Sequence, residues 1–202
     1  MRIGLYGGTF DPVHRGHVHA AQSAAEALNL DQVRMVLAAR PRHREAPQAS
    51  IEHRWQMLSL ACAETTNLVA DDCEIRRAGP SYAVDTLADY RRRYPASQLF
   101  WIAGEDSFAS LTQWHQWQRI IKMCQFVILS RPLGAQPPVH KQCHRELSMA
   151  RVIPLTLPML ELSATQLRQA LAQGDDATDG LAGPVHDYIV RCQLYHTTEN
   201  TV

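Results

Sequence analysis

Short apolar runs that alternate with amphipathic stretches constrain this chain more than any other feature. Ile3 to Tyr6, Val33 to Ala38, Leu99 to Ala103 and Phe126 to Ser130 are apolar nearly throughout, without the polar alternation of a half-exposed strand. Strands of that kind are covered on both faces, which is the signature of a parallel sheet sandwiched by helices. Helical spacing recurs between them, as in Val18, Ala21, Ala25 and Leu28 within the stretch Gly16 to Leu28. Further helices are expected at Ile51 to Glu64 behind an N-cap at Ser50, and at Ser81 to Tyr94 before Pro95. Short helices are expected at Ser107 to Leu111 and Gln116 to Lys122, then longer ones at Ser163 to Ala172 and Val185 to Cys192. Leu68 to Ile75 reads as a weak strand and Val152 to Leu157 as a last one. Arg40 to Ser50 and the proline-bearing Leu133 to Met149 read as loops. The alternation predicts an α/β fold, a Rossmann-like doubly wound, mostly parallel sheet with helices on both faces. No repeat, low-complexity segment or linker divides the 202 residues, so one domain is expected over 1–202, with a C-terminal motif helix near 163–173.

Composition narrows the partners. Lys plus Arg and Asp plus Glu number 20 each, giving a formal net charge of zero. Broad binding of nucleic acid needs a cationic surplus and is not expected. Lys122 and Lys141 are the only lysines. The arginine bias suits bidentate phosphate recognition, although a compositional bias of the genome is the better explanation. Neither a signal-like apolar start nor a membrane-length apolar window is present, so a cytoplasmic protein without membrane contact is expected. Five scattered cysteines read as reduced thiols rather than a disulfide framework.

The segment Gly7-Gly8-Thr9-Phe10-Asp11-Pro12-Val13-His14-Arg15-Gly16-His17 follows a strand and opens a helix. The glycine pair is expected to form the sharp turn that ends the strand and to let a polyphosphate approach the main chain. The N-terminus of the following helix offers amide donors and a favourable dipole to that anion. His14 and His17 are three apart, so they share a helix face and can each donate a ring N–H to a phosphate. The pattern is neither G-x-G-x-x-G nor the lysine-bearing phosphate loop. Near the other end, Leu162-Ser163-Ala164-Thr165-Gln166-Leu167-Arg168 opens a helix, with Ser163 as N-cap and Arg168 one turn on as a fork of donors.

The first segment resembles the G-G-T-F-D-P-x-H-x-G-H opening of the nicotinate-nucleotide adenylyltransferases, members of the nucleotidyltransferase superfamily. The second is similar to that family's I-S-[SA]-T-x-x-R element, with Leu162 in place of isoleucine. The resemblance extends over nearly the whole chain. It implies catalytic roles for His14, His17 and Arg168, and an ATP site made by Gly7, Gly8, Thr9, Phe10, Gly104, Asp106, Ser163, Thr165 and Arg168. Asp106, in the G-x-D-S-like turn after a central strand, is read either as a ribose ligand or as a helix cap. For the mononucleotide the resemblance implies His43 and Arg44 of Pro41-Arg42-His43-Arg44, and Tyr82 and Ala83 of Pro80-Ser81-Tyr82-Ala83. It also implies Trp114, as a stacking partner for the pyridine ring, His115, and Arg131 after the next strand. Arg42 and Ala83 depart from the family's usual proline and threonine, so any contact at 83 is expected through the main chain. Met57 and Leu58 are expected in the core, with Arg54 bridging loops. His140, Cys143 and His144 lack the paired spacing of zinc sites and read as a solvated loop, so no protein metal site is expected.

The implied reaction joins the adenylyl group of ATP to nicotinate mononucleotide, releasing pyrophosphate, with Mg²⁺ held mainly by substrate phosphates. Two rivals stay open: an enzyme like pantetheine-phosphate adenylyltransferase, which usually carries T-x-G-H where His14 stands, and a non-catalytic nucleotide-binding regulator.

Overall fold

The structure, a computed structural model, describes residues 1–41, 46–130, 149–157, 160 and 162–196. Among these, six strands form one sheet in the order β3-β2-β1-β4-β5-β6, every neighbouring pair parallel. The strands are β1 (Arg2–Gly8), β2 (Gln32–Leu37), β3 (Leu68–Asp71), β4 (Gln98–Gly104), β5 (Gln125–Ser130) and β6 (Val152–Thr156). This is the expected doubly wound architecture, with the order reversing between β1 and β4. That switch point is where ligands bind in such sheets, beyond the carboxyl ends of the strands.

Strand pleating divides the core. Along β4, Leu99, Trp101 and Ala103 face one layer while Phe100 and Ile102 face the other. The Phe100 side packs on α1 (Arg15–Ala27), α2 (Ile51–Ala63), α7 (Ala164–Ala172) and α8 (Gly183–Arg191). The Trp101 side packs on α4 (Ala83–Arg93) and α6 (Trp117–Met123). In α1 the buried stripe is Ala20, Ala21, Ala24 and Ala25, so small side chains bring that helix close to the sheet. Gly4 serves the same closeness, since a Cβ there would meet Leu30 and Val33 at 2.9 Å.

Most expected elements are present within a residue or two, and the departures have identifiable causes. β1 does not stop at Tyr6. It runs through both glycines, which pair with Val36 and Leu37 of β2, so Gly7-Gly8 is strand rather than turn. The chain turns two residues later, at Phe10, whose φ is +48°. The segment Leu68 to Ile75 is strand only to Asp71. The Asp71 carboxylate accepts the Cys73 amide and starts the single turn α3 (Cys73–Arg76). Helix α4 begins at Ala83 rather than Ser81, because Ser81 and Arg40 exchange hydrogen bonds that hold residue 81 in the loop. The first of the two short helices starts earlier, as α5 (Glu105–Ala109), and a 3₁₀ turn at Leu111–Gln113 separates it from α6. Ser50 caps α2 as expected, accepting the His53 amide at 3.3 Å. Pro154 lies on β6, at the edge of the described sheet, where its missing N–H costs no central ladder bond.

Within the excursion Leu133 to Met149, residues 133–148 lie outside the described ones, as do Arg42, His43, Arg44, Arg131 and the His140, Cys143, His144 group. Cys62, Cys73, Cys124 and Cys192 are free thiols. No helix among the described residues is long and apolar enough to cross a membrane.

Candidate active site

The end of β1 organises the site. Gly7 is exposed at the strand's carboxyl end, and a side chain there would begin 3.1 Å from the ring of Trp101 on β4. Gly8 is covered by Phe10, whose ring lies 2.7 Å from where a Cβ would sit. The left-handed backbone at Phe10 folds that ring back over the strand and buries it to 2% exposure. The Phe10 ring is therefore packed inward, which leaves the main chain at residue 10 as the part that could meet a nucleotide. The ring is the floor on which His17 rests, edge-on at 5.1 Å.

His14 is the N-cap of α1 and His17 its third helical residue. Their rings stack with centroids 3.7 Å apart. The Nδ1 of His17 accepts the backbone amide of His14 at 3.3 Å, which assigns the ring proton of a neutral His17 to Nε2. His14 is 7% exposed, and burial pushes its pKa down to about 4, so it is a neutral imidazole at pH 7. Its Nδ1 is buried without a hydrogen-bond partner. Gly16 makes room for that ring, since a Cβ at 16 would sit 3.0 Å from His14 Nδ1. The glycine between the histidines thus serves the imidazole directly.

The C-terminal motif is brought against this turn. Leu162 Cβ lies 3.6 Å from the Gly16 Cβ position. Arg15 donates through its amide to Gly180 O and through Nε to Leu181 O, both at 2.9 Å. Arg168 Nη1 donates to the main-chain oxygen of Asp11 at 2.8 Å, and Nη2 reaches Thr165 Oγ1 at 3.5 Å. Arg168 Nε is buried with no hydrogen-bond partner among the described residues. Ser163 occupies the N-cap of α7, but its hydroxyl makes no capping bond. Thr165 is exposed in the first turn.

Across the switch point, Gly104 ends β4 and caps α5, and nothing lies within 4 Å of a Cβ there. Neither packing nor φ demands glycine at that place, which faces open space. Asp106 is exposed in the first turn of α5 and makes no cap bond, so of its two readings the helix cap is not realised. Glu105, to which the sequence assigned no role, has a buried Oε1 without a partner beside Gly104.

A second cluster gathers the mononucleotide candidates. Trp114 stands edge-on to Trp101 at 6.0 Å, and its Nε1 donates to Ser110 Oγ at 3.4 Å. His115 stacks on Tyr82 at 4.3 Å. Ala83 is the first residue of α4, so its amide is one of the helix-start donors that no intrahelical carbonyl reaches. Trp101 touches both the Gly7 position and Trp114, linking the two clusters. As a residue inside an apolar strand, it had been indistinguishable from core.

Two supporting residues complete the frame. Arg54 is 1% exposed and donates to the carbonyls of Thr9, Ala38, Ala39 and Ala49, tying the ends of β1 and β2 to the start of α2. The Asp11 carboxylate accepts the amides of Gln48 and Ala49 at 2.8 and 3.1 Å, and the Tyr195 hydroxyl at 2.8 Å. The loop-bridging role expected of Arg54 is present, and Met57 and Leu58 are fully buried. Sequence reading gives Asp11 no role of its own within the motif, and no local pattern marks Tyr195.

A parallel sheet in this order, with paired imidazoles and an arginine gathered at its switch point, defines a nucleotide-handling α/β enzyme. The cytidylyltransferase-like family model matches residues 5–170. The chain is 40% identical to the "Probable nicotinate-nucleotide adenylyltransferase" of Chromobacterium violaceum over 209 residues, covering 96% of this chain and 98% of that one. It is 38% identical to the protein of the same description from Thermus thermophilus over 195 residues, covering 96% and 100%. Its fold matches the solved Plasmodium falciparum nicotinic acid mononucleotide adenylyltransferase complexed with NaAD, with a TM-score of 0.78 at 18% identity, covering 96% and 97% of the two chains. This chain belongs to the nicotinate-nucleotide adenylyltransferase family.

Proposed function

We propose that the protein transfers the adenylyl group of ATP to nicotinate mononucleotide, forming nicotinate adenine dinucleotide and pyrophosphate in NAD biosynthesis. Relatives at 40% and 38% identity are described as nicotinate-nucleotide adenylyltransferases, and a neighbour of the same fold is described with NaAD bound. The observation that carries the reading is the guanidinium of Arg168, which reaches across 157 positions onto the Asp11 carbonyl beside the stacked imidazoles.

The chemistry suits the groups present. A phosphate monoester has its second pKa near 6, so the mononucleotide phosphate is already largely the dianion that attacks the α-phosphate of ATP. No general base is needed. The protein's task is to align two anions and stabilise charge as pyrophosphate departs. Neutral His14 donates one hydrogen bond but brings no charge. The positive field comes from Arg168 and the N-terminus of α1, and His17 Nε2–H is a further donor. Gly7, Gly8 and Thr9 supply main chain to the phosphates, and Gly104, Asp106, Ser163 and Thr165 complete the proposed ATP site. Among the described residues no group of three or more His, Cys, Asp or Glu side chains is placed to hold a metal. Mg²⁺ is accordingly proposed on phosphate oxygens and water, where it would neutralise the leaving group. Trp114, His115, Tyr82 and the Ala83 amide form the proposed pyridine site, with His43, Arg44 and Arg131 added on the family resemblance. The proposed location is the cytoplasm.

The test is pyrophosphate release from ATP with nicotinate mononucleotide, nicotinamide mononucleotide or phosphopantetheine, each in turn. Fastest release with the nicotinate compound is expected. Release with phosphopantetheine alone would replace this reading, and release with none would leave a nucleotide-binding regulator.

A further inference from the structure

The C-terminal segment beyond α8 belongs to neither motif, yet it returns to the first of them. Gln193 and Tyr195 both have positive φ, 51° and 66°, a backbone region that residues with side chains rarely adopt. These two reversals turn the chain back from α8 toward the β1 turn. There the Tyr195 hydroxyl donates to Asp11 Oδ1 at 2.8 Å. Asp11 is 6% exposed, and it is the junction of four segments. Its carboxylate holds the amides of Gln48 and Ala49, its carbonyl holds Arg168 Nη1, and the tyrosine closes the remaining side.

We infer that Tyr195 is a positioning residue for adenylyl transfer: its hydroxyl fixes Asp11, and through the Asp11 carbonyl it sets where the Arg168 guanidinium points. The inference rests on the function proposed above. Burial and the neighbouring Asp11 charge hold the Tyr195 hydroxyl well above the ordinary tyrosine range, so it remains a donor throughout the working pH range. Without it the carboxylate keeps its two amide bonds but loses the lateral restraint. The carbonyl that aims Arg168 is then free to rotate with the turn. A displacement of about 1 Å in a charge-stabilising group costs up to a hundredfold in rate.

The experiment compares the unaltered enzyme with Y195F, D11N, the Y195F/D11N double variant and Y188F. Tyr188 also bonds a histidine of α2 through its hydroxyl, at 2.9 Å to His53 Nδ1, yet it does not touch Asp11. It therefore reports on the loss of a C-terminal tyrosine hydroxyl as such. Y195F is expected to lower kcat about tenfold while KM for ATP changes less than twofold. Y188F is expected to keep kcat within twofold, and the double variant to be no slower than D11N. Thermal unfolding of each sample separates a folding defect from a kinetic one. An unchanged kcat in Y195F, equal losses in Y195F and Y188F, or multiplicative losses in the double variant would each overturn the inference alone. If the unaltered enzyme forms no dinucleotide, the proposed function and this inference fall together.

Discussion

His14 is buried, neutral and partnerless at Nδ1, a costly state that the fold tolerates beside the proposed phosphate site. Its pKa in the folded chain, about 4, lies below its unfolded value of 6.5. Between those values the unfolded chain binds a proton that the folded chain refuses. Stability is therefore complete above pH 6.5 and declines as the pH falls toward 4, by roughly 3 kcal/mol in all. Denaturant unfolding at pH 7 and pH 4.5 should show the parent losing about 2 kcal/mol more than H14Q, and equal losses would show that His14 is not the group responsible. The same neighbourhood shows the limit of reading glycines from a sequence. A glycine pair after a strand suggests a turn, but the positive φ fell on Phe10, whose ring then needed Gly8 as its seat. Local pattern carries no information about which residue a ring will fold back upon.

At the scale of elements, the strands and most helices were legible because each is specified by its own periodicity and caps. The ends that shifted did so through contacts between distant segments, such as Ser81 with Arg40 or the Asp71 carboxylate with the Cys73 amide. Arg54 is the strongest case. Its place on a buried helix face contradicts its charge, and only the four carbonyls it satisfies explain it. Burial lowers its pKa, with Asp11 acting in the opposite sense. Methionine at 54 would keep the packing but strand those carbonyls, each worth about 1–3 kcal/mol when left unpaired in the interior. R54M should lose at least about 3 kcal/mol in urea unfolding. A loss below about 1 kcal/mol would mean that water or other donors replace the guanidinium without penalty.

Across the whole molecule, the proposed site joins two clusters at the β1–β4 crevice: imidazoles and Arg168 on one side of Gly7-Gly8, aromatic rings on the other. The motifs were legible in the sequence, and so was their convergence, as an expectation from resemblance. The bridge between the clusters was not, since Trp101 reads as ordinary core until its edge contact with Trp114 is seen. The division predicts separable kinetics. W114A should raise KM for nicotinate mononucleotide about tenfold, the scale of one lost stacking contact, and leave KM for ATP within twofold. Steady-state titration of each substrate decides the matter, and equal increases would show that Trp114 serves the fold rather than the pyridine ring.

The contact of Arg168 with Asp11 also bears on how the enzyme comes into being. The histidines lie within the first seventeen positions, while their cationic counterpart and the tyrosine behind it lie beyond position 160. All six strands of the described sheet, from the one that leads into the imidazole pair onward, precede that returning stretch. Without that stretch the chain would hold only the imidazole half of the proposed phosphate grip. On the proposed function, competence for chemistry would require the returning tail to dock on the first turn, since the Asp11 contacts of Arg168 and Tyr195 both come from that later stretch.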